Sequence, residues 1–535
     1  MTLDKDLQAV QEVRNLCTKA KAAQHLFKEF SQEEVDKIVA AMAHAGFHAA
    51  ERLARTAVSE TGMGNIPDKI LKNQFGTRNI YESIRSLRTV GIIRDDRKNK
   101  ILEVAEPMGV VAAIIPTTNP TSTVMFKILI SVKARNGIVI SPHPRASQCT
   151  NEATQVLKEA AIRTGAPADL IGIIANSSLQ TTHELMHHAD IDVILATGGS
   201  GLVKAAYSSG KPAYGVGPGN VPVYLDRSAD YKKAIADVVT GKSFDYGTIC
   251  SSEQALIVDA PLKNRAVEQL KINGAYFMSP EEIQMVEKVL VTSKFIVNPE
   301  LVGKSPQVIA QKAGFEIPDT VKILVGELQG VGRAFPLSAE KLSPVLAFYV
   351  ANGWEEGIRL SLDILNFGGK GHTAAVHAKN EQVIKQFGLS VPAYRIVVNS
   401  PAVMGSVGYT NELTPSLTLG CGTYGGNIIG DNISAHHLMN IKRVAYETKP
   451  FASQTMDTNW RPSVYHDWQH RQAPYTKALS SDVSRKGANV SAAASAGFNP
   501  SAANKPSSKK MTYGSTGMTE AEVEQVVEEF IKNRS

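Results

Sequence analysis

Pro107-Met108-Gly109-Val110-Val111-Ala112-Ala113-Ile114-Ile115-Pro116-Thr117-Thr118-Asn119-Pro120 is an apolar run entered through a glycine and closed by prolines and small polar residues. The run at 109–115 is too short to cross a membrane, which takes roughly 18 apolar residues, and has the length of a strand. Similar runs follow at 137–140, 170–174, 193–195 and 221–225, and helix-length amphipathic segments such as 151–164 stand between them. Strands alternating with helices predict an α/β fold with a mostly parallel sheet. A second apolar, glycine-punctuated block runs from 255 to about 427. Upstream, the first 90 residues read as helices: Ser31-Gln32-Glu33-Glu34 has the form of a capping box, and Val35, Ile38, Val39 and Met42 then recur at helical spacing. No internal repeat interrupts the pattern.

The 535 residues suffice for two large domains with full cores. Hydrophobic residues at 43% and charged residues at 20% are ordinary for a soluble globular chain. The net charge of +6 comes from scattered basic residues, and with aromatics at 6% there is no nucleic-acid-binding signature. The N-terminus, Met1-Thr2-Leu3-Asp4-Lys5-Asp6, lacks the apolar stretch of a signal peptide. Cys17, Cys149, Cys250 and Cys421 are widely spaced with no Cys-x-x-Cys pair, which argues for a reducing compartment and against a disulfide framework or a structural metal site.

Past residue 450 the composition changes. Residues 477–515 are rich in Ser, Ala, Asn, Gly and Lys, with few large apolar side chains, and read as a flexible linker. In 518–532, Val523, Val526, Val527, Phe530 and Ile531 line one helical face and glutamates cover the other. A lone helix this short is marginal in water, so its apolar stripe needs a partner. It either folds back on its own chain or caps an oligomer, or it is a tethered docking helix for another protein.

Two segments carry chemistry. Cys250 sits in Tyr246-Gly247-Thr248-Ile249-Cys250-Ser251, a glycine-led turn that leaves a thiol reachable, and Tyr214-Gly215-Val216-Gly217-Pro218-Gly219-Asn220 is a glycine-rich turn without an acid. With Glu60-Thr61-Gly62-Met63-Gly64, Ala196-Thr197-Gly198-Gly199-Ser200-Gly201 and Glu340-Lys341-Leu342-Ser343-Pro344-Val345-Leu346, they resemble the aldehyde dehydrogenase superfamily over about residues 30–445. Gly369-Lys370-Gly371-His372-Thr373 and the stretch 416–427 resemble its narrower CoA-acylating branch, including the aldehyde half of bifunctional aldehyde–alcohol dehydrogenases. A bifunctional chain would continue into an iron-dependent alcohol dehydrogenase; this one stops, so the aldehyde activity is expected to stand alone.

The resemblance implies the superfamily's fold: a Rossmann-like cofactor domain at 1–226 with an oligomerisation strand near 100–113, an α/β catalytic domain at 227–450, an extension and linker at 451–515 and a docking helix at 516–535. It implies Cys250 as the nucleophile. The segment before Pro120 matches the family's Pro-Trp-Asn-Phe-Pro, whose Asn donates into the oxyanion hole. A gapless match puts Thr118 there and a one-residue shift puts Asn119 there; an amide is the better donor, which favours Asn119. His372 would contact substrate, assist the thiol, or be structural. Glu340 matches the Glu that holds the nicotinamide ribose, and Thr197, Gly198, Gly199 and Ser200 match a turn whose helix N-terminus receives a pyrophosphate. Ser141 and Pro142 occupy the place of the Lys-Pro-Ser-Glu run at the adenosine ribose, with both charges gone, so NAD is expected and NADP stays open; Gly217 lies in the remaining cofactor-facing turn.

In hydrolytic members a Glu-Leu-Gly-Gly-Lys run occupies the 214–220 segment and its Glu activates water; Gly215 is read here at that Glu. Water, with a pKa of about 15.7, needs such a base, whereas a thiol near ~8.5 is already partly ionised. The expected acceptor is therefore CoA, and the expected reaction is oxidation of a short aldehyde, propionaldehyde or acetaldehyde, to acyl-CoA. The linker and helix resemble encapsulation peptides, so the resemblance implies a shell-protein partner at 518–535, a place in the lumen of a bacterial microcompartment within the cytoplasm, and a dimer or tetramer without metal, nucleic acid or membrane. The alternatives are a hydrolytic dehydrogenase, or a catalytically silent scaffold or cargo adaptor acting through the terminal helix.

Overall fold

The computed structural model describes residues 4–292 and 295–451; the linker and the docking helix expected beyond 451 lie outside the described residues. Five parallel strands form the first large sheet, in the spatial order Ile171–Ile173, Gly137–Ser141, Val110–Ile114, Val193–Thr197, Ala213–Val216. In chain order this is 3-2-1-4-5, the doubly wound arrangement, which reverses direction between Val110–Ile114 and Val193–Thr197 and opens a crevice there. Val110 to Ile114 are all buried because both faces are covered. Val111 and Ala113 pack among side chains of the helices Pro120–Lys133 and Ser147–Arg163. Val110, Ala112 and Ile114 pack with Val13, Cys17 and Ala20 of the helix Lys5–Phe27.

The helix Gln32–His48 begins at the expected capping box: Ser31 N donates to Glu34 Oε2 at 2.8 Å and Glu34 N to Ser31 Oγ at 3.3 Å. Its buried stripe, Val35, Ile38, Val39 and Met42, faces the core. The second large sheet has seven parallel strands, in the order Ala275–Phe277, Ile323–Glu327, Val345–Ala351, Glu253–Asp259, Val221–Leu225, Gly371–His377, Ala393–Val398. Val221–Leu225 thus pairs in this sheet, although it precedes the expected boundary at 226. A small antiparallel sheet joins Ile92–Asp96, Ile101–Pro107 and Met439–Ala445. The segment near 100–113 is therefore two strands: Ile101–Pro107 lies in the small sheet and Val110–Ile114 is the centre of the first large one.

One buried lysine holds the crevice. Lys127, on the fully buried helix Pro120–Lys133, donates from Nζ to Ile114 O and Leu195 O, each at 2.8 Å. Ile114 ends one of the two strands that flank the reversal, and Leu195 lies at the middle of the other. Burial drives the lysine's pKa well below its ordinary value. Lys127→Met keeps the volume but strands both carbonyls, and is expected to destabilise the protein by about 1–3 kcal/mol; the urea unfolding midpoint measures it.

Candidate active site

A cavity of about 670 Å³ lies at the carboxyl ends of the five-stranded sheet, lined there by Ile114, Ser141, Thr197 and Val216 and across from them by Cys250 and Glu340. The chain enters the cysteine through Asp245, Tyr246 and Gly247, with φ of 46°, 52° and 73°. A residue bearing a Cβ costs on the order of 1–2 kcal/mol in this left-handed region. The Asp245 carboxylate is held in compensation: Oδ1 accepts from Asn65 N at 2.9 Å, and Oδ2 accepts from Thr248 Oγ1 at 2.7 Å and Lys69 Nζ at 3.0 Å. Gly219 lies so close to the Cys250 carbonyl that any side chain there would collide with it.

The Cys250 sulfur is 3.1 Å from His372 Nε2. His372 is fully buried, and desolvation, then the Arg395 guanidinium, hold its pKa well below 6.5, so the ring is neutral. Desolvation, then the charges of Glu340 and Cys421, push the Cys250 thiol up to about 12, with Arg395 opposing. The resting pair is therefore thiol and neutral imidazole. A thiol that donates to Nε2 places the ring proton on Nδ1, which is 2.9 Å from Thr373 Oγ1. Arg395 fixes the backbone around the ring, donating from Nη2 to His372 O and Gly420 O, each at 2.6 Å.

Asn119 precedes the helix Pro120–Lys133 and lines the same cavity as Cys250. Its Nδ2 donates to Thr118 Oγ1 at 3.0 Å and lies 3.4 Å from Thr248 O, on the loop that carries the cysteine. The Thr118 hydroxyl accepts from that amide, and its carbonyl accepts from Lys69 Nζ at 3.0 Å. Asn119 is thus the one of the two whose side chain reaches the nucleophile's loop.

Thr197, Gly198, Gly199, Ser141, Pro142 and Gly217 all line the cavity. Gly199 leads into the helix Ser200–Tyr207 without a side-chain cap, and Thr197 Oγ1 is buried with no partner. An open helix N-terminus beside an orphaned hydroxyl suits the phosphates of a dinucleotide. Ser200, the first residue of that helix, is not among the lining residues, and neither are His372, which lies behind the sulfur, and Cys421. The Ser141 hydroxyl is turned to Thr182 Oγ1 at 2.8 Å. Glu340 Oε1 accepts from Gly219 N at 2.9 Å, and burial raises this carboxyl to about 7 against the pull of Gly219 N–H, Lys242 and Lys341. It is the only carboxylate among the described lining residues.

The reading of Gly215 needs correction. A Cβ on Gly215 would lie 2.6 Å from Val203 Cγ1 and 2.8 Å from the Tyr207 hydroxyl, on the side of the helix Ser200–Tyr207. Val216 is the residue that lines the cavity with Cys250. Neighbouring strand residues point to opposite faces, so an error of one position reverses the direction. The chemical content survives, since Val216 is no base.

Sequence reasoning missed Lys69, Lys72, Asp245, Thr373 and Arg395. The lysines are three apart on the helix Ile66–Gln74, where charges usually face water; here both are buried.

Comparison with known proteins gives three results. The aldehyde dehydrogenase family profile matches residues 5–275. The bifunctional aldehyde-alcohol dehydrogenase AdhE of Escherichia coli (strain K12) is 44% identical over 441 residues, covering 82% of this chain and 49% of that protein. The chain thus spans about half the length of this curated relative and of similar aldehyde-alcohol dehydrogenases. Among solved structures, an acetylating aldehyde dehydrogenase from Geobacillus thermoglucosidasius is 54% identical with a TM-score of 0.83, covering 84% of this chain and 99% of that one. A propionaldehyde dehydrogenase from the Clostridium phytofermentans fucose utilisation bacterial microcompartment is 28% identical with a TM-score of 0.72, covering 83% and 98%.

The resting protonation state has a measurable consequence. With the thiol at about 12, the thiolate fraction climbs about tenfold per pH unit through the neutral range. The rate of Cys250 alkylation by iodoacetamide in the unliganded protein is expected to rise steadily from pH 7 to 10. A plateau below pH 9 would mean that the protein already holds the thiolate.

Proposed function

Because the chain belongs to the aldehyde dehydrogenase family and has its fold, we propose that it is a CoA-acylating enzyme oxidising a short aliphatic aldehyde, propionaldehyde or acetaldehyde, to the acyl-CoA. The carrying observation is the composition of the Cys250 pocket: a cysteine in contact with a neutral histidine, in a cavity that Val216 lines and whose one described carboxylate is Glu340.

In this reading Cys250 adds to the aldehyde carbonyl and forms a thiohemiacetal. Its proton passes to His372, whose Nε2 is already in contact with the sulfur. Asn119 Nδ2 donates to the oxygen that becomes negative. A bound nicotinamide dinucleotide supplies the hydride acceptor and, in its oxidised form, a positive charge that favours thiolate. Thr197 and Gly199 would hold its phosphates and Glu340 its nicotinamide ribose, which leaves NAD and NADP both compatible. Loss of hydride leaves the acyl group as a thioester on Cys250. The CoA thiol then attacks the acyl carbon, the Cys250 sulfur leaves, and a proton returns to the site. His372, having released its first proton to solvent, serves that exchange as a base that takes the CoA thiol's proton and returns it to the departing Cys250 sulfur, and exchange between thioesters keeps the acyl bond's free energy.

The packaging expected for residues 516–535 belongs to the same proposal. It is supported by the apolar stripe of the sequence there and by the likeness to an enzyme from a microcompartment. The small antiparallel sheet is the element offered for oligomerisation, in a dimer or tetramer. A fluorescent protein fused to 516–535 is expected to co-purify with shell proteins, and replacing Val526 and Phe530 by Asp is expected to release it.

The decisive assay follows NAD reduction with propionaldehyde, with and without CoA, beside Cys250→Ala. Sustained turnover is expected to need both CoA and Cys250, with one propionyl-CoA formed per NADH. Without CoA, a burst of no more than one NADH per site is expected. Equal turnover without CoA would return the acyl group to water and refute the acylating reading. Val216 lines the cavity with Cys250, while a side chain at 215 would meet Val203 and Tyr207. Val216→Glu, and not Gly215→Glu, is therefore expected to open CoA-independent formation of the acid.

A further inference from the structure

Beneath the nucleophile's loop lies a buried charge cluster that the mechanism above does not use. Lys69 and Lys72 project from the helix Ile66–Gln74 toward Asp245, and all three side chains are buried. Asp68 joins them: its Oδ2 accepts from Asp245 N and Asn65 Nδ2, each at 2.7 Å. Lys72 Nζ closely approaches Asp245 Oδ2 and Asn119 Oδ1, and lies 3.2 Å from Thr248 Oγ1.

An ammonium has three hydrogens to donate and accepts nothing. Its three partners here are a carboxylate, a hydroxyl and one atom of the Asn119 amide, so that amide atom must be the oxygen. This settles the amide's direction. With Oδ1 tied to Lys72, Nδ2 is left on the side of Thr118 Oγ1 and Thr248 O, facing the loop of Cys250. An uncharged apolar neighbour in that place would let the amide turn over and present its oxygen to a developing negative charge.

We propose that Lys72 is a positioning residue for the oxyanion donor: its ammonium pins the oxygen of Asn119 and so aims the amide NH2 at the reacting carbonyl. This rests on the reading of Asn119 as that donor. Asp245 has two tasks in the arrangement. It is the counter-charge that lets an ammonium exist out of water, and it is the residue in the left-handed turn that delivers Cys250. Burial draws Lys72 down to about 8 while Asp245 opposes the shift and Lys69 adds to it. The nucleophile's turn and the side chain of the oxyanion donor are thus fixed to one another through Lys72, while Lys69 ties Asp245 to the neighbouring Thr118 carbonyl.

The test is a double-mutant cycle read on the NADH burst without CoA, which isolates the hydride-transfer half of the reaction. Asn119→Ala is expected to slow the burst by ~10²–10³, the size found for loss of one oxyanion donor. Lys72→Met is expected to slow it at least about tenfold, with aldehyde KM little changed, because a misdirected amide costs part of the same stabilisation. In the Asn119→Ala background, Lys72→Met is expected to cost less than about threefold, since a residue acting only through Asn119 has nothing left to act on. Lys72→Gln, which keeps an N–H for Oδ1, is expected to recover most of the rate, and it carries the cycle if the methionine variant does not fold. Alkylation of Cys250 at an unchanged rate in both lysine variants shows that the turn is intact. A Lys72→Met burst within threefold of the parent overturns the proposal, as do losses that multiply in the double variant. If Asn119→Ala itself keeps the parent burst, the oxyanion reading falls and takes the proposal with it. That outcome is distinct from one in which Asn119→Ala is slow and Lys72→Met is not.

Discussion

The contact between Cys250 and His372 sets the terms for the rest of the site. Sulfur and Nε2 are 3.1 Å apart, and withdrawal from water has opposite effects on the two groups. It pushes the thiol up to about 12 and the imidazole well below its ordinary range, so the proton stays on sulfur and the pair carries no charge at rest. A thiolate permanently exposed to solvent would be open to oxidation and alkylation. A neutral pair avoids this, and reactivity then waits for a charge brought in by a ligand. Arg395 is poised to favour the ionised sulfur, yet its N–H groups are spent on the carbonyls of His372, Gly420 and Gly430. Its first effect is to immobilise the backbone around the imidazole.

The same economy governs the rest of the interior. Lys127, Lys341 and Lys72 are all buried, and each has its hydrogens directed at fixed acceptors: the strand carbonyls of Ile114 and Leu195 for Lys127, the carbonyls of Leu337 and Ala339 for Lys341, and Asp245, Thr248 and Asn119 for Lys72. A buried lysine head group is expensive unless its hydrogens are satisfied. Once satisfied it cannot easily turn or leave, which makes it a rigid joint. Lys127 fastens the mouth of the crevice, Lys341 holds the backbone beside Glu340, and Lys72 ties the segment before Pro120 to the loop before Cys250. The cavity is therefore framed by polar joints inside an apolar shell.

How much of this could be read from the sequence follows from the range of each interaction. The parallel α/β character was legible because buried strands in such sheets are continuous apolar runs, and 109–115 is one. Cys250 could be singled out because a glycine-led turn before a cysteine is a local signal, and the structure places it on the cavity. Sheet membership was not: Val221–Leu225 follows Val216 after a four-residue turn, and only its pairing with Glu253–Asp259 and Gly371–His377 places it in the other sheet. Nor was the direction of Gly215 and Val216, since a shift of one residue reverses a strand's faces and a glycine offers no side chain to read. Lys72 and Asp245 are 173 positions apart, and nothing local marks two lysines on an otherwise polar helix as buried. A charge pattern reveals its partner only when the fold brings it.

The placement of Val216 bears on how one scaffold can serve different acyl acceptors. In the proposed reaction, a thioester on Cys250 would be attacked by whatever nucleophile is both present and ionised at the carbonyl. A carboxylate on the strand end would supply hydroxide-like water on the spot, and hydrolysis would then discard the free energy stored in the thioester. An isopropyl group there does two things. It offers no base, and it adds apolar surface: Val216 belongs to the hydrophobic cluster against which Cys250 packs. A soft nucleophile needs no such base on that side, because His372 already stands at the sulfur to take or return one proton. In the proposed reaction, discrimination between water and a thiol would thus rest on one aliphatic side chain in the cavity and one histidine at the sulfur, without any feature that recognises the acceptor itself. Recognition of the acceptor is then free to be carried by distant parts of the cavity, and the chemistry at Cys250 stays the same whichever aldehyde or thiol arrives.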